Sequence, residues 1–350
     1  MSTHDHSGHS PHSIGAHSTI DIHAHWYPQD WLRLIEKDGP AQGASLKRDG
    51  RKYHISTGRV TNAFDESFVA LDERIAGMDR QHVDVQAMSL TTPMVYWASP
   101  AFGLALAQCF NDSIAAAHEK YPKRLLGLAM LPMQDPKLAL QELERVGKLP
   151  GMRGLYLATH VNGAELDEKA FWPIYAKAEE LGWTIFLHPM DTIGPERTKK
   201  YYLKNLLGNP YDTGVAAASL VFGGVLDAFP KLEVNLPHAG GTFPWLIGRL
   251  DHGTKVRAEL KHMKRLPSEY LRRFTYDTIG HDDRINMNLV RLVGADRVTL
   301  GSDYCFDMGL DDPVATVGRM APLSEAERAL ILGGTSARLL GLPLATESPP

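Results

Sequence analysis

The sequence predicts an α/β protein, a (β/α)8 TIM barrel with a polar insertion after its first strand. Eight apolar segments of strand length alternate with segments whose apolar residues recur at helical spacing. The strand segments are apolar throughout, which is typical of a parallel sheet covered on both faces. No long linker or shift in composition divides this body of the chain, so we expect one domain. A doubly wound sheet is the alternative fold.

Each predicted strand is a short apolar run, and each is followed by a predicted helix. The strands are expected at residues 19–25, 83–90, 124–131, 152–160, 184–189, 232–241, 274–280 and 298–304. The helices are expected at residues 73–80, 100–121, 136–148, 167–182, 213–230, 242–253, 284–294 and 324–341. The fourth of these helices ends at Gly182, because glycine readily adopts the left-handed conformation that stops a helix.

The two ends of the chain and one internal stretch depart from this alternation. Residues 1–18 are rich in serine, glycine and histidine and lack apolar periodicity, so we expect a disordered tail ahead of a catalytic domain at 19–342. Residues 343–350 are expected to form a short C-terminal tail. Residues 37–72 are polar and separate the first two strands, which predicts an insertion over the first strand-to-helix loop, with a small hairpin as one option.

The composition is that of an ordinary globular protein and favours a cytoplasmic enzyme. Hydrophobic residues make up 43% and charged residues 22% of the 350 residues, and the net charge is −4. Such a charge does not attract nucleic acid or an anionic membrane, so neither is an expected partner. The N-terminus lacks the pattern of a secretory signal, and no apolar run has membrane-spanning length. Two cysteines are too few for a disulfide framework.

Four histidines and one aspartate stand at predicted strand ends. His23 and His25 are two positions apart in the first strand, so their side chains point to the same face. His188, His238 and Asp303 lie at the ends of the fifth, sixth and eighth strands. Because the carboxyl ends of barrel strands meet at one rim, we expect these side chains to converge there. Three imidazoles and a carboxylate suit zinc, with iron, cobalt or manganese as alternatives. A lone histidine at a strand end is more often a packed residue.

Four motifs carry a resemblance to a known family. The segments DIHAHWYP, FLHPMD, LPHAGGTFPWLIGRLD and LGSDYCF resemble motifs of the amidohydrolase superfamily, in the branch of aminocarboxymuconate semialdehyde decarboxylase. The resemblance implies one divalent metal ion, Zn²⁺ in the first place, held by His23, His25, His188 and Asp303. It also implies that His238 transfers a proton and that Asp303 takes part in catalysis. The fourth strand lacks the lysine that bridges two metals in other amidohydrolases, which favours a single ion.

Arginines are expected to hold the carboxylate of a small-molecule substrate, because the guanidinium fork binds a carboxylate through two hydrogen bonds. Arg249 matches a family arginine that reaches the site of a neighbouring subunit, which implies a homodimer or a higher homo-oligomer; a surface or interface ion pair is the alternative. A second family arginine lies after the first strand, where Arg59, Arg51 and His54 are the candidates. Met190 stands where the family has a tryptophan, which leaves the substrate open.

Three more residues are candidates for the surroundings of the site. His160 ends the predicted fourth strand and is expected in the pocket wall rather than as a metal ligand. Trp97 follows the second strand and either lines the pocket or packs in the core. Asp277 ends the seventh strand and is expected to support its neighbours rather than act as a base.

Three functions fit this pattern. The first is a metal-dependent, non-oxidative decarboxylase of an unsaturated or aromatic carboxylic acid, in the breakdown of aromatic compounds. The second is a metal-dependent hydrolase or hydratase that acts on a related ring-cleavage product. The third is a non-catalytic relative that serves as a partner subunit, although a copy without activity would be free to lose the ligands that this chain retains.

Overall fold

The computed structural model describes residues 18–58 and 60–342; the predicted tails, apart from Ser18, and Arg59 lie outside the described residues. This part of the chain contains thirteen strands: β1 (Ile20–His25), β2 (Ser45–Asp49), β3 (Lys52–Ser56), β4 (Thr61–Asp65), β5 (Val85–Ser89), β6 (Leu125–Met130), β7 (Met152–Ala158), β8 (His160–Val161), β9 (Ala164–Glu165), β10 (Thr184–His188), β11 (Val234–Leu236), β12 (Phe274–Asp277) and β13 (Val298–Thr299).

Eight of these strands form one parallel sheet, in the order β1, β5, β6, β7, β10, β11, β12, β13. Backbone hydrogen bonds close the sheet on itself. The N–H of Ile22 donates to the carbonyl of Leu300 at 3.1 Å, and that of His25 donates to Tyr304 at 2.7 Å. Strand order follows chain order around the whole sheet, so the TIM barrel is confirmed. The doubly wound alternative, which requires a reversal of strand order, is wrong.

Helices follow the barrel strands: α1 (Gln29–Asp38), α2 (Leu71–Arg80), α3 (Pro100–Lys120), α4 (Pro136–Val146), α5 (Trp172–Leu181), α6 (Asn209–Phe222), α7 (Val225–Ala228), α8 (Ile247–Val256), α9 (Asp283–Val293), α10 (Pro313–Arg319), α11 (Glu325–Ala329) and α12 (Thr335–Leu339). The apolar periodicity predicts all of them except α1 and α10. Helix α4 begins after Asp135, whose carboxylate accepts hydrogen bonds from the N–H groups of Lys137 and Leu138. Helix α5 ends at Gly182, which has the left-handed φ of 66° that the sequence predicts.

Three predicted helices differ clearly from those in the structure. The helix predicted at 242–253 begins only at Ile247, after a 3₁₀ turn at Pro244–Leu246. The helix predicted at 213–230 begins earlier, at Asn209, and is preceded by a π-helical turn at Lys204–Gly208. The helix predicted at 324–341 is divided by a second π-helical turn at Leu330–Gly334. Such turns insert one residue into the helical ladder and often occur at functional sites. The first of the two lies beside the site described below.

Several barrel strands end earlier than predicted, because the chain turns sharply at the rim. Strand β11 ends two residues before His238, and β13 ends four residues before Asp303. Both residues have a left-handed φ, 54° and 57°, which a strand cannot contain. The predicted fourth strand ends at Ala158, so His160 is not a barrel strand end; it begins the separate hairpin of β8 and β9.

The predicted polar insertion is an antiparallel sheet of three strands, β2, β3 and β4, rather than a single hairpin. Its inner face carries Tyr53 and Phe64, whose rings stack with centroids 5.2 Å apart. Phe64 in turn contacts Tyr27, which follows β1, at 4.3 Å between centroids. These aromatic contacts fasten the insertion over the carboxyl end of β1, next to the two histidines of that strand.

Candidate metal centre and substrate pocket

Four buried side chains meet at the carboxyl rim of the barrel. Each offers one ligand atom, and these atoms lie within 4.8 Å of one another: His23, His25, His188 and Asp303. Two come from β1, one from the last residue of β10, and one from the loop after β13. Parallel strands bring their carboxyl ends together, so residues far apart in sequence converge, as the strand ends predict. We call these four residues the cluster.

A ring nitrogen of His25 lies close to a carboxylate oxygen of Asp303. The Ser89 hydroxyl donates to the carbonyl of Ala24 at 3.0 Å, so its oxygen accepts from the Nδ1–H of His25, also at 3.0 Å. The Nε2 atom of a neutral His25 then carries a lone pair, and it lies 2.9 Å from Oδ1 of Asp303. With the ring proton on Nδ1, a cation bound between Nε2 and the carboxylate oxygen satisfies both atoms. The pair therefore fits a bound metal ion.

His23 and His188 also present unsatisfied nitrogen atoms to the cluster. The Nδ1–H of His23 donates to Oδ2 of Asp277 at 2.8 Å, which leaves Nε2 as the free atom. Within the described residues, His23 Nε2 and His188 Nδ1 are buried without a hydrogen-bond partner. Leaving a buried polar atom unpaired is unfavourable, so such atoms call for a ligand. A metal ion coordinated by the cluster satisfies this requirement.

The electrostatics of the cluster suit a divalent cation. Burial lowers the pKa of His25 to about 4 and that of His188 well below its usual value, so both rings are neutral at pH 7. A neutral imidazole is the form that binds a metal. Burial alone would raise the pKa of Asp303, but the neighbouring imidazoles of His23, His238 and His25 hold it well below its usual value. The pKa of His23 is raised instead, because its hydrogen bond to Asp277 and the charge of Asp303 outweigh its burial. The cluster thus offers the neutral nitrogens of His25 and His188 together with one negative charge.

Asp277 holds the turn that carries His238. Its two carboxylate oxygens accept hydrogen bonds from the backbone N–H groups of His238 at 3.0 Å, Ala239 at 2.9 Å and Ile279 at 3.1 Å. The same carboxylate accepts from His23. One buried side chain therefore fixes the position of a cluster histidine and of its neighbour His238 relative to each other.

His238 lies beside the cluster. Its Nε2 atom is 3.7 Å from Oδ2 of Asp303, and its ring centroid is 5.3 Å from that of His23 and 5.7 Å from that of His188. It is not among the four residues whose ligand atoms share the 4.8 Å cluster. His238 has a left-handed φ, which is uncommon outside glycine, and its side chain borders the cavity at the rim. A ring in this position can exchange a proton with a molecule bound at the cluster.

Two connected cavities open beside the cluster, and we call them the first and second lobes. The first lobe, of about 160 Å³, lies between the insertion and the loop after β10, and its lining includes Asn62, Met190, Tyr202, Lys204 and Phe306. The second lobe, of about 410 Å³, lies near the start of α9, and its lining includes Trp245, Ile279, His281, Ile285 and Met308. His238 and Asp303 border both lobes, so a ligand at the cluster can extend into either.

Trp97 and His160 lie behind the first lobe rather than in it. They line a small cavity of about 20 Å³ that shares Val60, Met190 and Asp191 with the first lobe. Both ring nitrogens of His160 are occupied, since Nε2–H donates to the carbonyl of Asp191 and Nδ1 accepts from the N–H of residue 163, each at 3.1 Å. The indole N–H of Trp97 donates to the carbonyl of residue 94. Neither side chain is brought to the cluster.

The candidate arginines lie apart from the cluster. Arg51 forms an ion pair with Glu73 at 2.7 Å on the outer surface of the insertion, and His54 is exposed there. Arg249 is exposed on α8 and forms no ion pair within the described residues. Arg59 lies outside the described residues, although its neighbour Val60 lines the first lobe. Within a single chain, the structure therefore brings none of the described arginine candidates to the cluster.

Sequence reasoning missed the residues that line the lobes from the π-helical turn, Lys204 and Asn205. Among the described residues, Lys204 is the one lysine or arginine that lines either lobe, and it forms no ion pair there. Its position depends on the phase of a π-helical turn, which apolar periodicity does not report. The only signal in the sequence was a polar stretch after the FLHPMD motif.

Comparison with known proteins identifies the family. The amidohydrolase family model matches residues 20–342. The chain belongs to the amidohydrolase family. It is 37% identical over 329 residues to 2-amino-3-carboxymuconate-6-semialdehyde decarboxylase of Dictyostelium discoideum, a match that covers 92% of this chain and 91% of the relative. The resemblance carried by the four motifs is thus confirmed at the level of the family.

Solved structures share the fold. A crystal structure of the IDCase of Metarhizium anisopliae superposes with a TM-score of 0.82 at 23% identity, covering 93% of this chain and 97% of that one. A dihydroxybenzoic acid decarboxylase from Polaromonas sp. JS666, solved with bound manganese and an inhibitor, gives a TM-score of 0.75 at 24% identity, covering 93% and 97%. In the described part of this chain, no helix combines the length and the apolar character needed to cross a membrane.

Proposed function

We propose that the protein is a metal-dependent, non-oxidative decarboxylase of an unsaturated or aromatic carboxylic acid. The observation that carries the proposal is the position of His238 beside a buried cluster of three histidines and one aspartate, whose ligand atoms are grouped closely enough to hold a metal ion. The 37% identity to a decarboxylase over nearly the whole chain supports the reaction class. A hydrolase or hydratase would use the same cluster, and the experiment below distinguishes it.

The cluster is proposed to hold one divalent ion. Three imidazole nitrogens and one carboxylate oxygen suit Zn²⁺, whereas the manganese in the Polaromonas decarboxylase makes Mn²⁺ the first alternative, ahead of iron and cobalt. When bound, such an ion supplies a Lewis acid that attracts substrate oxygen atoms and lowers the pKa of coordinated water. No lysine occurs in β7, which ends at Ala158, and this supports a single ion.

His238 and Asp303 are proposed to perform the proton transfer. His238 delivers a proton to the carbon that bears the carboxylate, which interrupts conjugation and leaves the adjoining system short of electrons. The bond to the carboxylate then breaks, its electron pair restores conjugation, and carbon dioxide leaves. The carboxylate of Asp303, 3.7 Å from His238 Nε2, is proposed to orient the imidazole for the transfer. The net change is one proton gained and one carbon dioxide lost.

Cations at the first lobe are proposed to hold the acid. Lys204 lines this lobe and has no ion-pair partner among the described residues. Arg59 is the residue immediately before Val60, and Val60 also lines the lobe. An unpaired cation beside a cluster of this kind attracts a carboxylate. Trp97 and His160 are proposed to support the lobe from behind, through the cavity that they share with Met190.

A second copy of the chain is proposed to complete the site. In the single chain, none of the residues of α8 is buried, and large apolar side chains are exposed around it: Trp245 is 43%, Leu246 is 42% and Val256 is 59% exposed. Exposed apolar surface of this kind marks an interaction site. Because α8 also carries the exposed Arg249, a homodimer through this helix would bring that guanidinium toward the partner's pocket.

Carbon dioxide release tests the reaction. The purified full chain, loaded with Zn²⁺ or Mn²⁺, is incubated in D₂O with a panel of unsaturated and aromatic acids. A decarboxylase releases carbon dioxide in proportion to the acid consumed and leaves deuterium on the carbon that lost the carboxylate. A hydrolase or hydratase consumes the acid without carbon dioxide, and its product has gained the mass of water. The second result would contradict the proposal.

A further inference from the structure

We propose that three buried side chains beneath the cluster, Arg74, Gln86 and Asp21, position its ligands and thereby set its affinity for the metal. We call them the buried triad. Arg74 comes from α2, Gln86 from β5 and Asp21 from β1, and all three are fully buried. The inference rests on the proposed function only in that the cluster binds a metal ion.

The triad is a continuous chain of hydrogen bonds between a cation and an anion. Nη1 of Arg74 donates to Oε1 of Gln86 at 2.6 Å, and Nε2 of Gln86 donates to Oδ2 of Asp21 at 2.9 Å. Asp21 and Gln86 stand opposite each other in the pairing of β1 with β5. The amide of Gln86 thus turns its oxygen to the cation and its N–H to the anion. A glutamate would face Asp21 with a second negative charge, and an apolar residue would break both bonds.

The cation end of the triad holds the peptide of one cluster histidine. Nη2 of Arg74 donates to the backbone carbonyl of His25. The guanidinium also lies over the ring of Tyr304, 5.2 Å from its centroid, in the loop that carries Asp303. One turn farther along α2, a Cβ atom added at Gly77 would lie 2.5 Å from the Tyr304 hydroxyl. Helix α2 is therefore packed tightly against this loop.

The anion end holds two more ligand-bearing segments. Oδ1 of Asp21 accepts from the backbone N–H of His23 at 3.0 Å and from that of Ser302 at 3.1 Å. Oδ2 of Asp21 accepts from the Ser302 hydroxyl at 2.5 Å. Ser302 precedes Asp303, so the triad is bonded to the backbone at or next to three of the four cluster residues.

The triad lies across the seam where the barrel closes. Strand β1 meets the chain after β13 at this seam, and the N–H of Asp303 donates to the carbonyl of His23 at 2.8 Å across it. Two cluster histidines stand on one side of the seam and Asp303 on the other. Any slip between the sides would change the distances from Asp303 to His23 and His25, which the metal requires to be fixed.

Charge burial indicates a role beyond packing. An arginine and an aspartate are rarely buried completely, because removing their charges from water is unfavourable unless each is well paired. Apolar residues could join α2, β1 and β5 without this penalty. The triad instead forms hydrogen bonds with the backbone of the ligand-bearing segments. Hydrogen bonds fix the orientation of these segments, whereas apolar contacts do not. Its members are positioning residues.

The test measures metal binding and ligand geometry in the full chain, with the His23→Ala/His25→Ala variant as the baseline for metal bound by the histidines of residues 1–17. Gln86→Met removes both bonds of the amide at similar volume, and Arg74→Lys keeps the positive charge but loses the forked head. For each variant, the Kd for Zn²⁺ is measured by competition with a chromophoric chelator, and the visible absorption spectrum of the Co²⁺ form reports ligand geometry. We expect the Kd to rise about 10–100-fold and the Co²⁺ bands to shift.

A matched control separates positioning from general packing. Asn111 and Glu142 form another fully buried polar pair, between α3 and α4, at 2.7 Å, and neither contacts a cluster residue. Glu142→Gln should lower the Tm of the metal-free protein while leaving the Kd and the Co²⁺ spectrum unchanged. If a Gln86→Met chain does not fold, Arg74→Lys provides the measurement.

Two results would overturn the inference, and they differ from each other. If the folded triad variants have a lower Tm but an unchanged Kd and Co²⁺ spectrum, as expected for the Glu142→Gln control, the triad only stabilises the fold and the inference is wrong. If the wild-type chain itself binds neither Zn²⁺ nor Mn²⁺, the proposed function fails together with this inference. A wild-type chain that binds metal but releases no carbon dioxide contradicts the proposed reaction alone, and the triad measurements then still decide the inference.

Discussion

Nε2 of His25 lies 2.9 Å from Oδ1 of Asp303, and both residues are buried. The tautomer follows from Ser89, whose single hydrogen is used on the carbonyl of Ala24, so that its oxygen accepts from His25 Nδ1. Two acceptors at this distance repel each other unless a cation joins them. The relationship leads to predictions about how much metal the chain binds and what fixes its affinity.

Each chain should bind one divalent ion through the cluster. Elemental analysis of protein that lacks residues 1–17, whose histidines would otherwise contribute metal of their own, should give a ratio near one, and a chelator should lower the Tm. A His23→Ala/His25→Ala double variant should be purified nearly free of metal. Full metal content in that variant, or a wild-type ratio far below one, would contradict the assignment of the cluster.

Ser89→Ala should weaken metal binding although Ser89 is not a ligand. Without the hydroxyl, His25 loses the acceptor that keeps its proton on Nδ1, and a proton on Nε2 competes with the metal. We expect the Kd for Zn²⁺ to rise about 10–100-fold, measured by chelator competition. Ser113→Ala is the control, since the Ser113 hydroxyl donates to a helix carbonyl remote from the cluster. Equal Kd values in the two variants would argue against tautomer control.

His238→Ala should lose turnover and keep its metal. Proton transfer by a positioned side chain contributes about 10²–10⁴-fold to a rate, so kcat should fall by that factor, whereas the four cluster residues remain intact. Steady-state kinetics and elemental analysis of the same preparation measure both quantities. A metal-free variant would make His238 a ligand. A variant with full activity would place the proton donor elsewhere.

The strand ends predicted that the cluster residues and His238 converge at one rim, whereas the choice of four ligands among them followed from the resemblance to the amidohydrolase family. His23 and His25 share a face through the two-residue period of a strand, and His188 ends a barrel strand at the rim that collects all strand ends. Asp277 supports its neighbours as predicted from its place at a strand end, but its particular contacts and those of Ser89 could not be predicted, since they depend on the register between neighbouring strands. The sixth and eighth barrel strands end earlier than predicted, because His238 and Asp303 adopt left-handed φ values. No pattern of apolar residues indicates such values.

The lining of the pocket was predicted less well than the cluster. Tyr201 and Tyr202 both have left-handed φ values, 59° and 58°, and the π-helical turn at Lys204–Gly208 follows at once. This backbone departs from regular periodicity, so the direction of each side chain in it cannot be obtained by counting residues. Lys204 was therefore overlooked, whereas His160, placed at a strand end by the pattern, belongs to a hairpin behind the lobe.

Lys204→Met should weaken substrate binding more than turnover. The ammonium lines the first lobe and is proposed to attract the carboxylate, so its loss removes an interaction present both before and during the reaction. We expect KM to rise about tenfold, with a smaller change in kcat. Lys200→Met, an exposed lysine of the same loop that does not line either lobe, is the matched control. Equal KM values for the two variants would exclude Lys204 from substrate binding.

Arg249→Ala should abolish most activity while leaving the metal in place. Arg249 is exposed on a helix that buries none of its residues in the single chain, and the exposed side chains around it are apolar. If a second copy covers this surface, the guanidinium serves the partner's pocket rather than its own. An activity assay measures the expected loss, elemental analysis measures the retained metal, and the molar mass in solution shows whether a second copy is bound.

Mixing two inactive variants tests the shared site directly. A hybrid dimer of an Arg249→Ala chain with a His23→Ala/His25→Ala chain contains one complete site, built from the metal ligands of the first and Arg249 of the second. Random pairing makes half of the dimers hybrids, so the mixture should recover about a quarter of the wild-type activity. Subunit exchange is confirmed with differently tagged chains. Proven exchange without recovered activity would mean that Arg249 acts within its own chain or only supports the interface.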